Sequence, residues 1–162
     1  MNRRDFARIS AFALAGSRLT SYAQGAGTFN KLVGYAAIGL GTISDIFMRG
    51  CAKSQTAKIT ALVTGHPQDK GAKYAAMYGI PKSSVYTYET FDRIRDNKDV
   101  EAVYVGLPNS MHREYTVRAA QAGKHVLCEK PMAISSAECR DMFEACRKAN
   151  VKLMIGYRCH YD

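Results

Sequence analysis

Three groups of residues in this 162-residue chain combine types and spacings that could do chemistry. The first is Gly39-Leu40-Gly41-Thr42-Ile43-Ser44, placed after an apolar run and before a helical stretch. In that frame the first glycine makes a tight turn. The second lets backbone approach a pyrophosphate, which rests on the helix N-terminus beside Thr42 and Ile43. Ser44 takes the place of the usual third Gly or Ala and is still small enough for close packing. The second group is Thr64-Gly65-His66 with Lys70, at the end of the next apolar run. A site for NAD puts Asp or Glu there, about 20 residues past the glycines, on the ribose hydroxyls. This chain has no carboxylate at that point to repel a 2′-phosphate, while Thr64, His66 and Lys70 offer donors. The pattern points to NADP, with NAD as the alternative. Lys70 and Lys73 could also form a solvated helix face, the preferred reading for Lys73. The third group lies between Val103 and Met132: Leu107-Pro108-Asn109, then His112, then Glu129-Lys130-Pro131.

These residues need elements to hold them. Lys31–Ile38 reads as a first strand, followed by a helix to about Lys53. Lys58–Val63 is a second strand. Pro67–Tyr78 reads as one helix, with Pro67 in its first turn and Gly79 past its end. Val85-Tyr86 is a short third strand and Thr90–Asp96 a short helix. Tyr86, Tyr88 and Phe91 have the types that stack on a base, but core packing is the preferred reading. Ala102–Val105 is a fourth strand, Met111–Gln121 a helix closed by Gly123, and His125–Cys128 a fifth strand. Ser135–Asn150 is a helix opened by a Ser135/Glu138 capping box, and Lys152–Gly156 a sixth strand. Strand–helix alternation predicts an α/β fold, a doubly wound parallel sheet of Rossmann type. The Pro-Asn loop and the Glu-Lys-Pro turn then share one rim, at the carboxyl ends of strands. Asn109 could cap the helix that follows. His112, in its first turn, reads as a satisfied packing residue and not as a proton carrier.

A Pro-Asn-x-x-His loop followed by Gly-Lys-His-Val-Leu-Cys-Glu-Lys-Pro resembles the glucose–fructose oxidoreductase / inositol dehydrogenase (Gfo/Idh/MocA) family. The resemblance runs from about Lys31 to Asp162, the family's nucleotide-binding half, and is nearest its glucose–fructose oxidoreductase branch. It implies an NAD(P)-dependent oxidoreductase acting on a sugar or polyol. It implies that Leu107, Pro108, Asn109 and His112 lie along the nicotinamide half of the cofactor. Lys130 is then the catalytic candidate. Its ammonium can hydrogen-bond the reacting oxygen and stabilise developing negative charge, and when desolvated it can relay protons. Glu129 positions Lys130 and the nicotinamide ribose. A cis bond before Pro131 is expected from family members. Arg158 belongs to a polar ending, Tyr157–Asp162, that in the family lines the active-site entrance. Family members continue into a second α+β domain that covers the nicotinamide, adds an acid–base group and makes much of the oligomer interface. This sequence stops at Asp162, so the expectation is a cofactor site with one catalytic lysine and no complete substrate pocket. A homo-oligomer is expected when the second domain is present. A non-catalytic dinucleotide-binding module, or an inactive remnant, is the alternative.

Composition narrows the classes further. The formal charge is +9. Four arginines against one aspartate in residues 1–23 leave +3 there and +6 on the rest. No zinc-finger spacing, basic helix or aromatic-glycine signature supports a nucleic-acid partner, and an anionic dinucleotide accounts for the basic balance. The five cysteines form no C-x-x-C and are odd in number, so neither a metal site nor a disulfide framework is indicated. Most of them read as buried small hydrophobes. Asn2-Arg3-Arg4-Asp5-Phe6 resembles a twin-arginine export signal. A short apolar segment and Ser21-Tyr22-Ala23 follow, which predicts cleavage after Ala23 and a periplasmic protein. The other reading is a frayed amphipathic N-terminus. Residues 24–30 would be an arm, and 31–162 the dinucleotide-binding domain. No stretch reaches the roughly 20 apolar residues of a membrane span, so no membrane partner is expected after export.

Overall fold

The structure is a computed structural model that describes residues 31–157. The predicted export signal, the arm and Arg158 lie outside the described residues. Six strands form one parallel sheet in the order β3-β2-β1-β4-β5-β6. They are β1 (Val33–Ile38), β2 (Ala57–Val63), β3 (Val85–Tyr86), β4 (Ala102–Val105), β5 (His125–Cys128) and β6 (Leu153–Ile155). The helices between them are α1 (Thr42–Lys53), α2 (Ala72–Tyr78), α3 (His112–Gln121) and α4 (Ser136–Lys148). The predicted doubly wound sheet is therefore present, and its winding reverses between β1 and β4.

The central strands are apolar throughout because both faces are covered. All four residues of β4 are buried, and Ala36, Ala37 and Ile38 have no exposed surface. On one face Ile38, Val63, Val103, Val105 and Val126 pack with Tyr115 and Ala119 of α3 and with Met142 and Cys146 of α4. On the other, Ala37 and Leu62 pack with Met48 and Cys51 of α1 and Ala75 of α2. That second face is less complete beyond β4. Leu127 and Met154 line a shallow hollow of about 220 Å³ with Ile46 and Tyr157. Met154, Ile46 and Tyr157 are 45%, 54% and 51% exposed. Cys51, Cys128 and Cys146 are buried as expected, and Cys139 is partly so.

Three local expectations change. Pro67–Tyr78 is not one α-helix: Pro67–Gly71 is a π-helical turn, and α2 begins at Ala72. The Gly71 N–H donates to the His66 carbonyl at 3.0 Å, five residues back, which sets the wider winding. Asn109 makes no side-chain cap. A 3₁₀ turn, Asn109–Met111, comes first, and α3 starts at His112 with Met111 as its N-cap residue. Ser135 does cap α4, its Oγ accepting the Glu138 N–H at 3.2 Å. The Glu138 carboxylate, however, accepts from the Ile134 N–H at 3.4 Å, one residue before the position a capping box uses.

Candidate functional site

The carboxyl ends of β1, β2 and β4 open onto a groove of about 230 Å³. Gly39 follows β1 with φ +79°, a conformation that L side chains rarely adopt. A Cβ there would also stand 2.8 Å from the Gly106 carbonyl oxygen and from Leu107 Cδ2. Gly39 N–H is tied to the Val63 carbonyl at 2.9 Å. Gly41 is the N-cap residue of α1 in extended conformation, and no side chain caps that helix. Nothing lies within 4 Å of where a Gly41 Cβ would be. The first amides of α1, beginning at exposed Thr42, are thus presented to an anion approaching the groove. Ser44 is fully buried. A Cβ on Gly106 would collide with the Ser44 hydroxyl, so α1 seats on β4 because Gly106 lacks a side chain.

Thr64, Gly65, His66 and Lys70 line the same groove, together with Leu107 and Pro108. Thr64 is 3% exposed. Its Oγ1 accepts the His66 N–H at 3.1 Å, and its own N–H donates to the Tyr86 carbonyl at 3.0 Å. Thr64 therefore shapes the turn, while His66 and Lys70 stand exposed on the rim. Ile43 does not face this groove. It lines the hollow on the other side of α1 with Phe47, Tyr104 and Glu129. A larger hollow of about 530 Å³ lies beside α2, lined by Ala72, Ala75, Ala76 and Ile80 with Lys82 as its one charged group.

The Pro-Asn loop and the Glu-Lys-Pro turn do share the rim, and His112 joins them. It is fully buried. Its Nδ1 lies 2.9 Å from the Pro131 carbonyl and its Nε2 2.9 Å from the Leu107 carbonyl. His112 thus stands behind the loop as a packing and bonding residue. The Lys130–Pro131 bond is cis, as expected. Glu129 accepts the Tyr104 hydroxyl on Oε1 at 2.8 Å and the Lys130 backbone N–H on Oε2 at 3.3 Å. The carboxylate therefore orients Lys130 through its amide. Among the described residues the Lys130 ammonium makes no ion pair with it. Lys130 and Asn109 are exposed on the rim and line neither groove. Arg158 lies outside the described residues.

Sequence reasoning missed Tyr104, Leu40 and Gly106. Tyr104 stacks on Phe47 of α1, ring centroids 3.9 Å apart and 6° from coplanar, while its hydroxyl holds Glu129. It links α1 to the Lys130 turn. Leu40, Gly106 and Tyr88 line the groove. By contrast, the Gly123-Lys124-His125 lead-in is architecture at the opposite rim. Lys124 Nζ donates to the Asn97 carbonyl at 3.0 Å, and His125 Nδ1 accepts the Lys152 N–H at 3.0 Å.

Known proteins are similar to this chain in sequence and fold. The chain is 36% identical over 119 residues to a 1,5-anhydro-D-fructose reductase of Ensifer adhaerens, covering 74% of this chain and 34% of that one. It is 28% identical over 123 residues to an NADP(+) scyllo-inositol 2-dehydrogenase of Bacillus subtilis, covering 76% and 36%. Its fold matches the crystal structure of an aldose–aldose oxidoreductase from Caulobacter crescentus complexed with glycerol. That match has a TM-score of 0.79 and 52% identity, over 82% of this chain and 39% of that one. A 3-ketoreductase from Actinomadura kijaniata, crystallised with TDP-benzene and NADP, matches at TM-score 0.72 and 26% identity, over 82% and 39%. The chain spans about a third of the length of the curated relatives it matches. The profile of the oxidoreductase family with an NAD-binding Rossmann fold covers residues 33–157. With the glycine turn, the doubly wound sheet and the braced Glu-Lys-Pro turn in place, the chain belongs to the Gfo/Idh/MocA oxidoreductase family.

Proposed function

We propose that this chain is the nucleotide-binding part of an NADP-dependent oxidoreductase that transfers hydride between the nicotinamide and a sugar or polyol. The observation that carries the choice of NADP is the end of β2. Thr64, His66 and Lys70 line the groove that Gly39 and Gly41 open, and no carboxylate lines it. The pyrophosphate would lie on the amides at the start of α1. A 2′-phosphate would meet the His66 and Lys70 side chains, each charge-assisted bond contributing about 1.5–3 kcal/mol when well formed. The cofactor supplies the hydride chemistry. The chain supplies position and charge. His112 stands between the Leu107 and Pro131 carbonyls, 2.9 Å from each, and Glu129 with Tyr104 fixes the Lys130 amide. The Lys130 ammonium, exposed on the same rim, would hydrogen-bond the substrate oxygen and stabilise its negative charge as hydride leaves carbon.

Titration of the chain with NADPH and NADH, followed by nicotinamide fluorescence, tests this. Tighter binding of NADPH supports the phosphate assignment; a preference for NADH refutes it and leaves the fold untouched. Asn2–Phe6 and Ser21–Ala23 support export by the twin-arginine route to the periplasm. Changing Arg3 and Arg4 to Lys should retain the protein in the cytoplasm, and unchanged export would sink that part.

A further inference from the structure

Side chains alternate along a strand, so Val103 and Val105 of β4 turn to one face of the sheet and Tyr104 to the other. There its ring stacks on Phe47 of α1, and Phe47 in turn meets Tyr35 edge-on, centroids 5.4 Å apart. With 3% of its surface exposed, the Tyr104 ring is fixed. Tyr104 is in register with Leu127 of β5. Glu129, two residues further on, comes to the same side of the sheet and within diagonal reach of Tyr104. Its carboxylate enters a hollow lined also by Ile43, Phe47, Leu127 and Met154. A charge among apolar groups is costly without a hydrogen bond. The Tyr104 hydroxyl supplies one at 2.8 Å, against 3.3 Å for the Lys130 amide. Lys130 follows Glu129 directly in the chain, yet among the described residues their side chains form no ion pair.

We propose that Tyr104 is a positioning residue for the Lys130 ammonium: by engaging Glu129 it withholds that carboxylate from the lysine beside it and leaves the ammonium available to the substrate oxygen. This rests on the reading of Lys130 given above and adds to it a residue that acts through Glu129. The rigidity of the ring is what makes the arrangement hold. Tyr104 is clamped by Phe47 and does not follow the carboxylate, so the carboxylate stays where the hydroxyl is. Without that hydroxyl Glu129 retains only the longer bond to the Lys130 amide, and the ammonium one residue away becomes the cation that neutralises it.

The test reads Lys130 directly and uses the 162-residue chain. The parent and its variants are treated briefly with N-hydroxysuccinimidyl acetate. Acetylation of Lys130 is followed by peptide mass spectrometry, with the exposed Lys70 and Lys73 as references. Tyr104→Phe keeps the stack and removes only the hydroxyl. Lys130 should then label roughly two- to fivefold more slowly, the range that one exposed ion pair supplies, while Lys70 and Lys73 keep their rates. Tyr104→Phe combined with Glu129→Gln has no carboxylate to pair and should return Lys130 to the parent's rate. A merely structural effect of the lost hydroxyl would not be rescued in this way. Glu129→Gln alone should label as the parent does, because in the parent the carboxylate is held elsewhere. An unchanged rate in a folded Tyr104→Phe protein, a slow rate that persists in the double variant, or faster labelling in Glu129→Gln overturns the proposal. The labelling needs no nucleotide. A chain that fails to bind NADPH therefore refutes the nucleotide reading, while the Lys130 rates still decide the role of Tyr104.

Discussion

Replacing His112 by Leu should cost more stability than any other single change at the rim. The ring is fully buried between two carbonyl oxygens, each 2.9 Å from a ring nitrogen. Leucine has similar bulk and no donor. A neutral imidazole donates one proton, and only the imidazolium donates two. The change therefore removes at least one hydrogen bond; where the bond lost is the buried one to Leu107, the acceptor left behind costs about 1–3 kcal/mol. That is a sizeable share of the total stability of about 5–15 kcal/mol for a domain. Urea unfolding followed by circular dichroism reads this directly. With m of about 1–3 kcal/mol/M, a loss of about 2 kcal/mol moves the midpoint by roughly 1 M. His112→Gln keeps one donor and should fall between the two proteins. Amide hydrogen exchange should quicken at Lys130 and Met132, on either side of the released Pro131 carbonyl, before it quickens in the strands. A Leu variant within about 0.5 kcal/mol of the parent would show that the two contacts do not hold the rim together.

Lys70→Ala should weaken NADPH about tenfold and leave NADH unchanged. Lys70 is exposed, so the low end of a charge-assisted bond applies and the effect should shrink as salt is raised; equal loss for both nucleotides would point to damage in the π-turn instead. Gly39→Ala forces a side chain into φ +79° and against the Gly106 carbonyl. It should cost at least about 1–2 kcal/mol in denaturant and abolish NADPH binding; retention of both would refute the tight approach. Burial pushes the Cys128 thiol up to about 12, and those of Cys51 and Cys146 up to about 11, from an ordinary value of 9.0. Above about pH 9 the unfolded chain gives up these protons and the folded chain keeps them, so stability should fall as pH rises toward 11. Cys128→Ala should flatten that fall in urea midpoints taken between about pH 8 and 10.5, and parallel curves for the two proteins would sink the account.

The sheet was legible because parallel strands buried on both faces are continuous apolar runs. Ala102–Val105 and His125–Cys128 are such runs, bounded by turn residues. The glycine turn and the β2 ending were legible because backbone demands and charge fix residue types there. The π-turn at Pro67–Gly71 was not, since its sequence satisfies an α-helix equally well. The difference lies in a bond from Gly71 to His66 set by packing against β2 and β3. The Tyr104–Glu129 link was hidden for another reason. Tyrosine is an ordinary strand residue, and its partner sits 25 positions away, just past the end of the neighbouring strand β5. Tyr88 read as a packing aromatic, and it packs, partly buried, against the core cluster and edge-on to Tyr115.

Both outer strands of the sheet are short, two residues in β3 and three in β6. An outer strand is where a sheet can recruit another chain by continuing its hydrogen-bond ladder, and a brief one leaves few free amides to template that growth. Self-association of this domain in concentrated solution should therefore not proceed by strand addition. The apolar patch at Ile46, Met154 and Tyr157 is left to govern colloidal behaviour. It would act by side-chain adhesion, which weakens on cooling, and not by the lasting cross-β contacts that survive it.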